Sequence, residues 1–158
     1  DGIGPADVAA WVGTAHRTYS TPTTEAGKDA YRWTAAIDPS GVAGAPGVPR
    51  ALGTLRGLEV LTRGRSGRAT AVRLTGAKKT IKVEGELKIR RALGGLKSSM
   101  FVVERDRDRY GRIVLRGGGH GHGVGLCQHG AMGMAKAGKG YREILAHYYS
   151  GAVITKLW

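Results

Sequence analysis

Residues 117–151 read GGGHGHGVGLCQHGAMGMAKAGKGYREILAHYYSG, a glycine-dense stretch followed by two segments with a helical pattern. Its first part, residues 117–127, is called the glycine loop below. Glycine has no Cβ, so a loop of this composition adopts positive φ angles and lets a ligand approach the backbone closely. Five side chains that can bind or react stand within ten residues: His120, His122, Cys127, Gln128 and His129. The stretch therefore predicts a loop that lines a groove, with the remaining chain as its scaffold.

On both sides of the glycine loop, apolar residues recur at the spacing expected for short strands and short helices. Turn-type sequences, RGRSG at 63–67 and DRDRYG at 106–111, separate apolar runs and indicate hairpins. We predict strands at 31–37, 58–61, 69–74, 80–83, 100–103, 113–115 and 152–157, and helices at 5–12, 87–93, 128–137 and 141–149. The expected fold is α+β, with a curved, mostly antiparallel sheet, short helices, two of them near the C-terminus, and a substrate groove lined by the glycine loop.

Length and charge limit the classes of function. The chain has 158 residues and is 41% hydrophobic, which is enough for one globular domain with a core. Five basic and six acidic residues precede Arg63, whereas twenty basic and six acidic residues follow from Arg63 onward. Such a field favours a polyanionic partner, namely nucleic acid, an anionic envelope polymer or a membrane surface. The alternative is a solvated basic surface with no specific partner.

Targeting and redox signals are sparse. No apolar run approaches the ~18 residues of a membrane-spanning helix. The chain begins at Asp1 without an initiator Met, so we expect targeting information to lie outside these residues. Cys127 is the single cysteine and cannot form an internal disulfide.

The blocks around the glycine loop resemble the C-terminal part of the SpoIID/LytB domain, named after stage II sporulation protein D and an amidase enhancer. The resemblance rests on GHGVGLCQHGAMGMA from Gly121 and GKGYREILAHYYSGA from Gly138. Weaker blocks follow the same order: YRWTAAI, SGRATAVRLTG, IRRALG and LKSSMFVVE, so that the similarity covers residues 31–158. Residues 1–158 are accordingly expected to form a single domain of this type that lacks the family's N-terminal segment with the catalytic acid.

The resemblance implies a function at the bacterial cell wall, outside the cytoplasm. The sporulation protein is a lytic transglycosylase that cuts glycan strands from which the stem peptides have been removed. Its acid is a glutamate near the start of the domain, and none of the six glutamates here stands in that context: Glu25, Glu59, Glu84, Glu86, Glu104 and Glu143. We therefore expect glycan binding by this chain and cleavage only with the acid-bearing segment. The alternatives are a non-catalytic enhancer of a cell-wall amidase and a generic polyanion binder. Nucleic acid is not expected, because few aromatic residues alternate with the basic ones.

Each candidate site residue has a structural alternative. His122 is expected to face the groove rather than to be buried, and Gln128 to present its amide to a glycan rather than to cap the loop. For Cys127, packing under the loop is favoured over a reactive thiol at a helix N-terminus. His129 is expected to pack, and one residue of the Tyr148–Tyr149 pair to stack on sugar. The predicted substrate-binding set is His120, His122, Gly123, Cys127, Gln128 and Tyr148.

No cofactor is expected, and zinc is the alternative. His120 and His122 share one side of an extended backbone, and Cys127, His129 and His147 could complete a site with them. The spacing matches no standard zinc pattern.

Overall fold

Two antiparallel three-stranded sheets and four α-helices make up the described part of the chain in the computed structural model. The described residues are 5–14, 16, 18–21 and 31–155. The strands are β1 (Arg32–Ile37), β2 (Leu55–Arg63), β3 (Ala69–Gly76), β4 (Thr80–Glu84), β5 (Phe101–Arg107) and β6 (Ile113–Gly118). The helices are α1 (Pro5–Gly13), α2 (Glu86–Ala92), α3 (Gln128–Lys136) and α4 (Tyr141–Tyr148), with a short 3-10 helix at Arg50–Leu52.

Local hairpins build the first sheet and one half of the second, in which β1 joins from far along the chain. Strands β2, β3 and β4 pair in sequence order, and the turn at 64–67 closes the first hairpin through a hydrogen bond from Gly67 N to Gly64 O. The second sheet has the order β1–β6–β5, so β6 is its central strand. Val103 lies opposite Leu115, and Ala35 lies opposite the same Leu115 from the other side. The glycine loop therefore starts at the end of a strand that is held on both edges.

One apolar core joins the sheets and α2. Alternation along β3 buries Val72 and Leu74 and leaves Arg73 exposed, as a half-buried strand requires. The helical pattern predicted for 87–93 is confirmed, because α2 buries Ile89 and Ala92 on one face. A second, smaller cluster forms where α1 places Val8 and Val12 against Met100. Among the described residues, no helix has both the length and the apolar character needed to cross a membrane.

The α+β prediction is confirmed, including the antiparallel pairing and the two helices near the C-terminus. The strands form two sheets rather than one. The predicted closing strand at 152–157 is wrong within residues 152–155, which have no strand pairing; 156 and 157 lie outside the described residues. Val153 is 87% exposed and Ile154 is 46% exposed. Apolar, β-branched sequence gives a strand only where a neighbouring strand and a core face receive it.

Candidate functional site

The glycine loop is fixed to the scaffold by hydrogen bonds with two separate parts of the chain. Gly119 N donates to Tyr31 O at 3.0 Å, and Gly121 N donates to Lys97 O at 2.8 Å. The indole Nε1 of Trp33 donates to Gly119 O at 3.0 Å. Strand β1, with the residue before it, and the segment before β5 thus hold the first half of the loop.

A cleft of about 440 Å³ opens beside the loop. We call it the loop cleft. Residues 119–129 line one side of it, and the rest of its lining brings together residues that are distant in sequence: Trp11, Ser20, Tyr31, Arg32 and Arg68. A cleft of this volume lies within the range of small-ligand sites in proteins.

Five of the six predicted substrate-binding residues line the loop cleft: His120, His122, Gly123, Cys127 and Gln128. The side chains of four of them are exposed: His120, His122, Cys127 and Gln128. The structure thus brings one imidazole pair, one amide and one thiol to a single wall. These groups can donate and accept hydrogen bonds, as recognition of sugar hydroxyls requires.

The ring of His122 has a defined orientation. Its Nδ1 accepts a hydrogen bond from Val124 N at 3.0 Å. Because Nδ1 is the acceptor, the neutral ring carries its proton on Nε2. The exposed His122 ring therefore offers an N–H donor on its Nε2 side.

Cys127 is an exposed residue at the start of α3, which corrects the expectation that it packs under the loop. Its Sγ accepts a hydrogen bond from Gly130 N at 3.4 Å, so the thiol caps the helix. His129 is also exposed, so the expectation that it packs is wrong. Both corrections have one cause: α3 buries Gly130 and Met134, and the opposite face of its first turn is left to solvent.

Tyr148, the sixth predicted residue, does not line the loop cleft. It lines an adjoining hollow of about 760 Å³ that shares Cys127 and Ser20 with the loop cleft. His147 meets the Tyr148 ring edge-on at 4.8 Å between centroids, and burial raises the pKa of the Tyr148 hydroxyl. Tyr149 is 43% exposed, and its hydroxyl accepts a hydrogen bond from Leu126 N at 3.2 Å. Tyr149 therefore supports the glycine loop, and Tyr148 contacts only the edge of the site.

Arg68 is a cleft residue that the sequence reading did not single out. It follows the hairpin turn before β3, and its Nε donates to Gly121 O at 3.3 Å. Burial lowers the pKa of its guanidinium from the ordinary value, while the charge of Glu86 opposes that shift. The guanidinium packs against Gly123, where a Cβ would come within 2.1 Å of Cζ and where φ is +74°. The positive φ favours glycine at position 123, and a larger residue there would also have to displace the end of the Arg68 side chain.

A second cation, Arg32, also lines the loop cleft. The Arg32 guanidinium lies over the rings of Trp11 and Tyr31, at 4.4 Å and 4.1 Å from their centroids. Its nitrogens donate to the carbonyl oxygens of Trp11, Thr14 and Tyr31 at 2.7–2.9 Å. Because both terminal nitrogens donate to these carbonyls, Arg32 fixes the end of α1 against β1. Its Nε is buried and has no hydrogen-bond partner among the described residues.

None of the five described glutamates lines the loop cleft; Glu25 lies outside the described residues. Each of the five is paired with a basic side chain: Glu59 with Arg73, Glu84 with Lys82, Glu86 with Arg90, Glu104 with Arg116, and Glu143 with Lys139. The expectation that no glutamate here stands in the family's catalytic context stays a prediction.

The alternative zinc set is not assembled in the part of the chain that the structure describes, where no three His, Cys, Asp or Glu side chains group closely enough to hold a metal ion. His147 faces the adjoining hollow, whereas His120 and His122 face the loop cleft. The absence of a cofactor stays a prediction.

The fold and site define a small α+β protein in which a glycine-rich loop, carried on the central strand of a sheet, forms one wall of a surface cleft. The family described as Domain of unknown function (DUF8618) matches residues 17–125, and the chain belongs to this family.

Three relatives show what else the chain is similar to. It is 57% identical over 42 residues to an uncharacterized protein of Brachyspira hyodysenteriae (27% of this chain, 11% of the relative). It is 41% identical over 59 residues to the amidase enhancer of Bacillus subtilis (37% of this chain, 8% of the relative). It is 42% identical over 62 residues to stage II sporulation protein D of Bacillus amyloliquefaciens (39% of this chain, 17% of the relative).

The last two similarities confirm the predicted SpoIID/LytB-type domain. The alignments with the three relatives cover only 8% to 17% of the relatives' own length. What the whole relatives do is therefore not carried over to this chain as a finding.

Proposed function

We propose that the chain binds the glycan strands of bacterial peptidoglycan in the loop cleft. The observation that carries this proposal is the convergence of His120, His122 and Gln128, three exposed polar side chains, on one wall of a cleft that also contains a cation. Neutral sugars are recognised by such hydrogen-bonding groups, and the acidic groups of a glycan by positive charge. The excess of fourteen positive charges from Arg63 onward supports an anionic polymer as the partner.

Cleavage of the glycan would need a further group. In lytic cleavage a general acid protonates the glycosidic oxygen, the bond from C1 to that oxygen breaks, and the 6-hydroxyl of the same sugar attacks C1. The hydroxyl proton leaves to a base, and the product is a 1,6-anhydro sugar with no water consumed. One carboxyl group suffices for this, in contrast to the pair used in hydrolysis. None of the described glutamates lines the loop cleft, and Glu25 lies outside the described residues. We infer that the acid comes from outside the described part of the chain, and we propose that a segment beyond residues 1–158 supplies it.

The proposed location follows from the proposed substrate. Peptidoglycan lies outside the cytoplasmic membrane, so a chain that binds it acts in the cell envelope on the extracytoplasmic side.

A second candidate is the non-catalytic enhancement of a cell-wall amidase. It is supported by the 41% identity to the protein named amidase enhancer in Bacillus subtilis. On this alternative the same cleft holds the glycan while an amidase acts on the stem peptides. The two candidates separate in one assay: the chain either increases peptide release by an added amidase or leaves it unchanged.

The binding test compares three polymers in a pull-down followed by a titration. We expect peptide-stripped glycan to bind more tightly than intact peptidoglycan, and salt to weaken the complex, because charges are screened over ~8 Å at physiological ionic strength. Duplex DNA serves as the competitor. If DNA displaces glycan at equal phosphate and carboxylate concentration, or if stripped strands have no advantage, the chain is a generic polyanion binder.

The cleavage test uses the same glycan and mass spectrometry of the digest. The chain of 158 residues is expected to release no 1,6-anhydro products. Finding such products would show that one of the six glutamates is the acid and would overturn the assignment of that group to another segment.

A further inference from the structure

Arg68 is a partly buried cleft residue whose guanidinium keeps open hydrogen-bonding positions at both terminal nitrogens. Its Nε is used by Gly121 O, at 3.3 Å. Within residues 5–14, 16, 18–21 and 31–155, neither Nη1 nor Nη2 of Arg68 makes a hydrogen bond or an ion pair within 4.0 Å. Glu86 acts on Arg68 through its charge, but its carboxylate pairs with Arg90 at 3.6 Å.

Neighbouring residues restrict the position of the Arg68 guanidinium. It packs against Gly123, and its Nη2 would lie 3.2 Å from a Cβ added at Gly119. Arg63 lies at the other end of the same hairpin turn. It fixes the hairpin by donating to Gly67 O at 2.9 Å and to Phe101 O at 2.8 Å. A guanidinium that is already oriented loses little conformational freedom when a ligand binds.

We propose that Arg68 is the carboxylate-recognition residue of the loop cleft, and that it takes the lactyl carboxylate of a muramic acid unit. This inference rests on the proposed function and deepens it. The planar fork of a guanidinium matches a carboxylate in a bidentate geometry, and such charge-assisted pairs are stronger where water is excluded.

The proposal gives a physical reason for selectivity between two forms of one polymer. In a strand without stem peptides the lactyl carboxyl is free and negative. In a peptide-bearing strand the same carboxyl is consumed in an amide bond, which has no charge and only one acceptor oxygen. Arg68 would therefore favour stripped strands, and His120, His122 and Gln128 would contribute equally to both forms.

The experiment measures affinity for a short peptide-free glycan and for its carboxyl methyl ester. The wild-type chain is expected to bind the free acid about tenfold to a hundredfold more tightly, the range given by hydrogen bonds to a charged group. Arg68→Gln should lose this preference while keeping its affinity for the ester. Arg68→Lys, which keeps the charge without the fork, should retain part of it. The matched control is Arg105→Gln, an exposed arginine on β5, which should behave like the wild type.

The outcomes separate the inference from the proposed function. If the wild type binds neither form, both the proposed function and the proposed role of Arg68 are overturned. If the wild type binds both forms equally, or if Arg68→Gln keeps the preference for the acid, glycan binding stands and the role of Arg68 is overturned. Should Arg68→Gln not fold, as a melting curve would show, the ester comparison on the wild type and Arg68→Lys still decide. An oligoglutamate of equal charge is the last arm: equally tight, Arg68-dependent binding of it would overturn the assignment to a sugar acid.

Discussion

The indole Nε1 of Trp33 donates a hydrogen bond of 3.0 Å to the carbonyl oxygen of Gly119, across 86 residues of sequence. The ring of Trp33 also covers Gly117, the residue opposite it in the register between β1 and β6. A single side chain therefore positions both the last residues of β6 and the first turn of the glycine loop. The geometry of the loop cleft depends on this contact.

Gly117→Ala should destabilise the protein. A Cβ at this position would come within 2.2 Å of the Trp33 ring, so the ring must move and its bond to Gly119 is strained. We expect a loss of about 1–3 kcal/mol in the free energy of unfolding, measured by urea denaturation.

The control for Gly117→Ala is Gly57→Ala, also in a strand and without a positive φ. A Cβ there meets only Thr75, at 3.6 Å. That change should be neutral or should stabilise by up to about 1 kcal/mol. Equal destabilisation by both substitutions would show that Trp33 does not set the cost.

His122→Ala should weaken glycan binding while leaving the fold intact. The ring is exposed and accepts a bond only from Val124 N, an exposed donor that water can satisfy. We expect a change in unfolding free energy within about 0.5 kcal/mol, as for most surface positions. Affinity should fall roughly fivefold, corresponding to one net hydrogen bond of about 1 kcal/mol.

His147→Ala is the companion to His122→Ala, since His147 lines the adjoining hollow and not the loop cleft. It should leave the affinity unchanged. A titration paired with a melting curve checks both variants. A large drop in melting temperature for His122→Ala with unchanged affinity would make His122 a scaffold residue.

The parts of the fold that sequence predicted correctly are those in which local pattern and tertiary burial agree. In α2 the apolar spacing of Ile89 and Ala92 matches the face that is buried, and in β3 the alternation around Arg73 matches the sheet. The segment at 152–155 failed because Val153 and Ile154 carry the local signal of a strand but have no neighbouring strand there. Pairing partners are set by the whole chain, and a local pattern does not contain them.

In the candidate site, too, the residues that are close in sequence were predicted and a residue that is distant in sequence was missed. His120, His122, Cys127 and Gln128 were found because they are close in sequence and stand between glycines. Arg68 was missed because it lies 53 residues before Gly121, the carbonyl it contacts, and resembles the other basic residues near a hairpin turn. The signal that could have drawn attention to it is its place between a turn and the buried start of β3, where a long cation must be accommodated near the core.

Glu143→Gln should lower stability at neutral pH and have little effect in acid. The Glu143 carboxylate accepts from Lys139 Nζ at 2.9 Å and from Gly140 N at 3.0 Å, and these bonds hold its pKa below the ordinary value. A carboxyl whose folded pKa is lowered stabilises the folded state above its unfolded pKa. That contribution is lost as the pH falls through the lowered pKa.

The measurement for Glu143 is the difference in melting temperature between variant and wild type at pH 7 and at pH 2. Glu59→Gln removes an equal charge from an exposed pair with Arg73 and corrects for the change in net charge. A difference that is as large at pH 2 as at pH 7 would mean that the carboxylate charge is not what stabilises the start of α4.

Cys127 should report occupation of the loop cleft. It is the single thiol of the chain, it is exposed, and it lines both the loop cleft and the adjoining hollow. A disulfide reagent such as 5,5′-dithiobis(2-nitrobenzoate) is therefore expected to label the native protein at one site without denaturant. A glycan bound in the cleft would cover the thiol, so that only the free fraction of the protein reacts.

The labelling rate then follows the binding equilibrium. At a glycan concentration ten times the Kd, about one molecule in eleven is free, and the rate should fall by roughly tenfold. A neutral glucose oligomer of equal length is the control and should leave the rate unchanged. Cys127→Ser, which keeps a side-chain acceptor for Gly130 N, should take no label and should bind glycan as the wild type does. An unchanged rate at saturating glycan would place the binding surface away from this loop, whatever the affinity measured in solution.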